Sequence, residues 1–593
     1  MRKRGSDTSV LAVQRWFRES VTYEGEPYTI DYEQAAAVVD ESLNTIVVAR
    51  AGSGKTRTLV AKIVYLVARR GVRPEEIMAF VFNANAAKEI NERLAKMRVD
   101  GAAVMEGAKI ASTFHAFSRK VVYKVCMGEK KCGKILASEK EAYVLGIVRK
   151  MLEEDEWKRK VVAFIKGEGE AEFAGEREKV VDSVVVLDEE EIERFAGMMA
   201  QFINRAQQKY LGGNVAVGEV AEEYLAANEI AERERLFVEL GVECFRRYHW
   251  YLLDSKRGLG GFSEYGTDFN LVVSWASKLI ASRRPEVVEL LKGKKYMLID
   301  EYQDFSQLFL AAVMAIRSVA HDVRLFVVGD DWQAINRFAG SDVEYFKGFE
   351  KYFTGGVRRV EITTNYRCDQ EVVGRARRFM AKAMREKGEF WAFSKKMGEV
   401  AVVNPKEVSC ELPVVEWDTR VGGGDLVYKQ MARKAIGREP KKKTVRYMKA
   451  IVGLIRGNSG VKDYLLLHRN NETNIEGMSL TGLAAGLKWG LVQLGVMTAE
   501  EFDVKVQVMT MHKSKGLEAE VVIILEADEG VIPKLHPDTL LYGMFGETME
   551  VALDDQKRLF YVAMTRAKKR LYIISEGGGF VKYLGRRMER WGE

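Results

Sequence analysis

A chain of 593 residues exceeds what one hydrophobic core of roughly 250–300 residues can serve, so several domains are expected. Its 47% hydrophobic and 30% charged content allows packed cores and excludes a broadly disordered polymer. The net charge of +7, from 92 basic and 85 acidic residues, is too small to name a partner by itself.

No apolar run nears the roughly 18 residues of a membrane span, and the basic start MRKRGSDTSV leads into no apolar segment. A soluble, cytoplasmic protein with no membrane partner is therefore expected. The five cysteines (Cys126, Cys132, Cys244, Cys368, Cys410) form no CxxC pair, which argues against a disulfide framework and against a zinc site.

In chain order, short β-rich runs are expected at Thr45–Val48, Met78–Phe82, Tyr296–Ile299 and Leu325–Val328. Each ends at a polar or glycine-rich turn, and most lead into a segment of helical character. Such alternation predicts a parallel sheet covered by helices. Within this set, from about Arg119 to Lys295, apolar residues fall at helical spacing: Val144, Ile147, Val148, Met151 and Leu152, then Leu236, Phe237 and Leu240. They predict a mostly helical insertion, with a mobile loop at KGEGEAEFAGEREK, residues 166–179. A second strand set at Val360–Thr363, Tyr464–Leu467, Val504–Met509, Val521–Leu525 and Leu571–Ile574 predicts a second α/β domain. The expected division is therefore 1–118 and 291–355 for the first domain, 119–290 for the insertion and 356–593 for the second domain. A basic insert is expected near 381–460, because Met431–Ala450 carries eight Lys or Arg against the single acid Glu439.

The chemistry begins at TIVVARAGSGKTRTL. A strand enters, Ala49, Arg50, Ala51, Gly52, Ser53 and Gly54 form the turn, and Lys55-Thr56 open a helix. Backbone N–H groups of Ala51–Lys55 would cradle a β-phosphate at that helix N-terminus. Lys55 would reach the β- and γ-phosphates, and the Thr56 hydroxyl would ligate Mg²⁺. In YMLIDEYQD a strand delivers Asp300 and Glu301 to its carboxyl end, where open α/β sheets bind ligands. Asp300 suits Mg²⁺ binding, directly or through a water, and Glu301 suits activation of an attacking water. An acid pair ending a strand is common alone; beside the phosphate loop it points to an NTPase. VVGDDWQAINRFAG, by itself, reads as an ordinary polar turn after a buried strand.

The ordered set ARAGSGKT, STFHAF, LIDEYQD, VGDDWQAINRFAG, TTNYR, MTMHKSKGLEAE and RLFYVAMTRA resembles the superfamily 1 DNA helicases of the UvrD/Rep type, and most closely the helicase IV branch. The resemblance runs from about Gln34 to Lys569 in the family order. It implies two RecA-like P-loop motor domains that sandwich ATP, with single-stranded DNA lying across both. Gln34 then matches the adenine-reading glutamine, Arg57 and Tyr366 pack against the base, and Glu518 lies near the ribose. Gln333 and Arg367 match γ-phosphate contacts, and Arg566 matches the arginine finger. Phe82, Thr113, Phe114, His115, Arg337, Phe338 and His512 fall in the strand-contact motifs, where aromatic faces stack on any base.

The implied activity is ATP-dependent, Mg²⁺-requiring 3′-to-5′ translocation on single-stranded DNA with duplex unwinding, acting at single-strand/duplex junctions. A translocase that displaces proteins or remodels RNA polymerase without unwinding is the first alternative. A nucleic-acid-binding scaffold with an inactive NTPase is the second, and a helicase–nuclease fusion the third. The chain departs from the family pattern at Asn83-Ala84-Asn85, Asn336 and Gln556. It also leaves only a few dozen residues between Arg469 and VQVMTMHKSKG, so the large accessory domain of UvrD and Rep is expected to be absent.

Overall fold

The computed structural model describes residues 9–105, 107, 109–129, 134–135, 140–167, 187–211, 216–253, 266–384, 399–403 and 425–584. The chain packs as two compact units. One comprises Met1–Val48, Lys55–Glu361 and Pro537–Met549; the other comprises Ala49–Gly54, Ile362–His536 and Glu550–Glu593.

In the first unit, helix α1 (Tyr32–Val39) is opened by Asp31, whose carboxylate accepts from the Gln34 N–H while Gln34 Oε1 accepts from the Asp31 N–H. Strand β1 (Asn44–Ala49) is buried throughout and leads into the phosphate-loop turn and helix α2 (Lys55–Val64). Next come β2 (Ile77–Val81), β3 (Ala111–Thr113) and helix α3 (Phe114–Glu129). The insertion holds α4 (Lys140–Met151), α5 (Asp155–Lys166), α6 (Glu189–Tyr210) and α7 (Glu232–Leu253). The chain then returns through α8 (Phe269–Ala281), β4 (Tyr296–Ile299), α9 (Gln307–Val319), β5 (Arg324–Gly329) and β6 (Val357–Ile362). The loop predicted at 166–179 lies, beyond Gly167, outside the described residues.

These strands form a six-stranded sheet in the order β6-β1-β5-β4-β2-β3. The pairings β1–β5, β5–β4, β4–β2 and β2–β3 are parallel. A parallel sheet is covered on both faces, which is why its strands read as unbroken apolar runs rather than alternating ones. The registers Val48↔Gly329, Val327↔Ile299 and Ile299↔Phe80 align the carboxyl ends of β1, β5, β4 and β2 along one edge.

Three segments depart from the expected division, and the first is the turn Ala49–Gly54, which groups with the second unit. Strand β6 belongs to the first sheet, beside β1, although it follows the expected boundary at 355/356. Residues Pro537–Met549 also lie with the first unit, far from it in sequence. There Leu541, Tyr542, Met544 and Phe545 join the buried core of the insertion. Phe545 meets the Phe202 ring edge-on at 5.0 Å, and Tyr542 meets Phe237 at 5.0 Å.

The second unit is built on β7 (Glu399–Val403), helices α10 (Asp425–Ile436) and α11 (Lys442–Arg456), β8 (Tyr464–His468), α12 (Leu480–Gln493), β9 (Val506–Thr510), β10 (Ala519–Ile524), α13 (Met549–Met564) and β11 (Ala567–Ile574). Its five strands lie in the order β7-β11-β10-β8-β9, every pairing parallel. Between β8 and β9 the chain makes only α12 and a short helix, Ala499–Lys505.

The expected basic insert is corrected over 425–456. Met431, Ala432, Met448, Ile451 and Ile455 are buried in one core with Leu466 and Ile523, so α10 and α11 are structural helices of the second sheet. Residues 385–398 and 404–424 of that expectation lie outside the described residues. The basic side chains Lys441, Lys442 and Lys443 stand exposed at the start of α11.

Helix α12 crosses α10 at close range because Gly482, Gly486 and Gly490 recur at four-residue spacing. A Cβ on Gly486 would lie 2.6 Å from the Met431 carbonyl oxygen. Gly486→Val therefore overpacks this crossing and is expected to destabilise the second unit by about 1–3 kcal/mol. Calorimetric melting should show its transition moving down while the first unit's stays in place.

Candidate active site

The turn Ala49–Gly54 is a left-handed cradle: Gly52 has φ +75° and Gly54 has φ +83°. Gly52 is also crowded, since a Cβ there would lie 2.7 Å from Arg367 Cβ and 2.8 Å from the Asn365 amide. Glycine is thus required twice, by conformation and by contact. The turn is stapled within its own unit by Asn365 Nδ2 donating to Ala51 O at 2.5 Å and by Tyr366 N–H donating to Gly52 O at 2.8 Å. Asn365 Oδ1 in turn accepts from the Arg367 and Cys368 N–H groups.

In the first unit, Lys55 and Thr56 open α2, and Thr56 Oγ1 donates to Asp300 Oδ2 at 3.2 Å. Asp300 is buried, and its carboxyl is raised well above the ordinary aspartate range. Desolvation is the main cause, the adjoining Glu301 charge adds to it, and Lys55 opposes both. A desolvated carboxylate beside a threonine hydroxyl fits a divalent cation completed by phosphate oxygens, the habit of Mg²⁺. Among the described residues no group of three or more His, Cys, Asp or Glu side chains could hold a metal without such help.

Glu301 adopts φ 51°, ψ 41°, a left-handed conformation that costs a non-glycine residue on the order of 1–3 kcal/mol. Its carboxylate accepts from Gln303 Nε2. Gln303 Oε1 accepts from the Asp330 N–H at 2.9 Å, and Asp330 Oδ2 accepts from Gln333 Nε2 at 2.5 Å. One hydrogen-bonded chain therefore runs Glu301–Gln303–Asp330–Gln333, from the end of β4 to the end of β5. Trp332 packs in the interior and its N–H donates to Asp330 Oδ1.

The remaining nucleotide candidates are placed as follows. Gln34 is buried in its helix cap. Arg57 lies over the Tyr28 ring at 4.2 Å and donates to Thr29 O. In the second unit Tyr366 is exposed, and Arg367 pairs with Glu518 at 2.7 Å. Glu518 also binds Lys568 at 2.8 Å. Arg566 is 1% exposed, and its guanidinium donates to Val562 O, Leu517 O and Thr565 Oγ1.

The strand-contact candidates divide. Phe82 and Phe338 are exposed at 44% and 54%. Thr113 Oγ1 caps the Ala116 N–H, and His115 lies edge-on to Phe269 and Phe309. Phe114 is a correction: it is 5% exposed, stacked on Phe80 at 4.3 Å and on Phe309 at 5.0 Å, so no base can reach its face. It supports the β2 edge from inside. Arg337 faces Asp342 at 3.8 Å and Glu547 at 3.4 Å, and its side chain is 18% exposed. Gln303, Asn365 and Glu547 carry no assignment in the sequence reading. The first two stand inside quoted motifs, within two residues of assigned ones, whereas Glu547 has no sequence signal.

Two parallel sheets, a glycine cradle at a helix N-terminus and an acid pair at the adjoining strand end define a P-loop NTPase with two RecA-like domains. Residues 30–354 match the UvrD/REP helicase N-terminal domain, and residues 468–577 match the UvrD-like helicase C-terminal domain. The chain belongs to the UvrD/REP helicase family, within superfamily 1. It is 24% identical over 552 residues to DNA helicase IV of Escherichia coli, covering 91% of this chain and 67% of that protein. It is 25% identical to the ATP-dependent DNA helicase UvrD1 of Mycobacterium leprae over 68% of this chain and 46% of that one. With the ATP-dependent DNA helicase PcrA of Staphylococcus aureus it shares 25% identity over 58% of this chain and 39% of that one. Among the described residues no helix is long and apolar enough to cross a membrane.

His512 is pushed down to about 4 from its ordinary 6.5, by burial first and by the Arg469 charge second. It is therefore neutral at pH 7 and binds fewer protons folded than unfolded between these values. Its stabilising contribution is complete above about pH 6.5 and is lost as pH falls toward about 4. Urea denaturation of the second unit at pH 7.5 and pH 5 should show this acid loss, and His512→Gln should reduce it.

Proposed function

We propose that the protein is an ATP-dependent DNA helicase that moves 3′-to-5′ on single-stranded DNA and separates the duplex at single-strand/duplex junctions. The observation that carries this reading is the chain Glu301–Gln303–Asp330–Gln333, which binds the hydrolytic acid to the motif ending in Arg337 and Phe338. Only a few residues part Gln333, assigned to the γ-phosphate, from exposed Phe338, assigned to a base. A change at one is then felt at the other through rigid polar contacts.

Lys55 neutralises the β- and γ-phosphates, the N–H groups of Ala51–Lys55 hold the β-phosphate, and Glu301 orients and deprotonates the attacking water. Thr56 and Asp300 would hold Mg²⁺, which would supply charge neutralisation on the phosphates. Gln34, Arg57, Tyr366 and Glu518 are assigned to the nucleoside, and Arg367 and Arg566 to charge developing at the γ-phosphate. On the DNA side, Phe82 and Phe338 stack on bases at about 1–3 kcal/mol each, while Thr113, His115 and His512 line the strand. The 3′-to-5′ direction rests on the family resemblance alone.

Lys55→Ala and Glu301→Gln should each lower DNA-stimulated ATP turnover by about 10²-fold or more. Strand displacement on 3′-tailed and 5′-tailed duplexes checks the rest: only the 3′-tailed substrate should open. Turnover retained in both variants sinks the site assignment, opening of the 5′-tailed duplex sinks the direction, and hydrolysis without opening favours a non-unwinding translocase. Gln303→Leu breaks the chain without touching either ligand, so strand separation should fall more steeply than hydrolysis. A proportional fall in both would remove its coupling role.

A further inference from the structure

Arg337 sits in a small pocket with Arg205 and Lys209 of α6, with Asp342, and with Phe545 and Glu547 of the 537–549 segment. Three cations share two carboxylates there, and the pairing is loose. Arg337 Nε lies 3.4 Å and Arg205 Nε 4.0 Å from the same Glu547 oxygen, and Arg337 Nη1 lies 3.8 Å from Asp342. Charge-assisted N–H···O⁻ bonds close to about 2.7–2.9 Å, which none of these contacts reaches. Both Nε–H groups are buried with no hydrogen-bond acceptor among the described residues. Two of the cations bond backbone carbonyls instead, Arg337 Nη2 donating to Gly546 O at 3.0 Å and Lys209 Nζ to Phe545 O at 2.9 Å, while Arg205 Nη1 donates to Gln201 Oε1 at 3.3 Å. Arg205 also lies over the Tyr542 ring at 3.9 Å.

Burial lowers the proton affinity of both Arg205 and Lys209, so this positive charge is kept at a desolvation cost. A buried cation short of close acceptors is better satisfied by an anion whose charged oxygens can close to hydrogen-bonding distance. A phosphodiester has that form, and exposed Phe338 follows Arg337 directly.

We infer that Glu547 is a placeholder for a nucleic-acid phosphate: the backbone of single-stranded DNA binds Arg337, Arg205 and Lys209 by displacing the Glu547 carboxylate. The Gly546–Glu547 turn swings out, while Tyr542 and Phe545 stay anchored in the aromatic core of the insertion. Without DNA, the carboxylate keeps the pocket closed and the Arg337 motif in one conformation. This inference rests on the DNA reading above and extends it to residues on α6 and the 537–549 segment.

The test is binding of a fluorescent oligothymidine to the full chain, by anisotropy across a salt series. Glu547→Gln removes the competing charge and should tighten binding about 3–10-fold at low salt. Glu550→Gln, an equal charge change at an exposed neighbour, should stay within about twofold of wild type if the effect is local. Lys209→Gln should weaken binding and reduce the slope of log K against log salt by about 0.7, one phosphate contact on a single strand. Hydrogen exchange at the Gly546 and Glu547 amides should rise when the oligonucleotide binds. Wild type that binds while Glu547→Gln gains nothing, or exchange that stays level, overturns the placeholder alone. Wild type that fails to bind overturns the DNA reading itself.

Discussion

Everything at the candidate site depends on keeping Asp300 inside the protein. A carboxylate stripped of water at the end of β4 is tolerable only if other groups nearby answer it. The parallel register brings β1 and β4 to the same edge, so the helix that follows β1 starts with Thr56 within 3.2 Å of that carboxylate. Lys55 supplies the opposing charge. The raised Asp300 proton affinity shows that this answer is incomplete, and on the proposed reading a divalent cation would complete it. The sheet thus leaves at this edge a carboxylate whose charge the fold answers only in part.

The same edge explains the strained Glu301. An αL glutamate persists only where its surroundings hold it, and here Gln303 does so from two residues away. Because Gln303 also accepts from the Asp330 backbone, the conformation of Glu301 is tied to that of the next strand end. A loop bonded to β5 alone would have no such dependence. The Glu301 and Gln303 side chains, joined to the Asp330 backbone N–H, give it.

Much of this was readable in the sequence because it is local. Strands buried on both faces announce themselves as apolar runs, and the motifs that matter are contiguous: Lys55-Thr56, Asp300-Glu301, Asp330 to Phe338. What was not readable depends on long-range partners. Phe114 stands in a strand-contact motif beside half-buried His115, and only the aromatic cluster of Phe80, Phe305 and Phe309 turns it inward. Strand β6 reads as the opening of the second domain, because nothing in its own residues names β1 as its neighbour. The basic run at 431–450 looked like an added patch, since charge was visible in sequence and the buried face of α10 and α11 was masked by it.

The 537–549 segment shows how two kinds of contact can divide one task. Its aromatic residues are packed at ring distances near 5 Å against α6 and α7, which fixes where the segment sits. Its Glu547 carboxylate is matched poorly, at 3.4–4.0 Å, to Arg337 and Arg205, whereas Asp538 of the same segment closes to 2.9 Å on Arg233. Had stability alone shaped the contact, the carboxylate would have closed to hydrogen-bonding distance on at least one guanidinium, as Glu243 does on Arg247 elsewhere in the insertion. Firm apolar anchoring beside slack ionic pairing is the combination expected of a seat that one anion must leave so that another can enter.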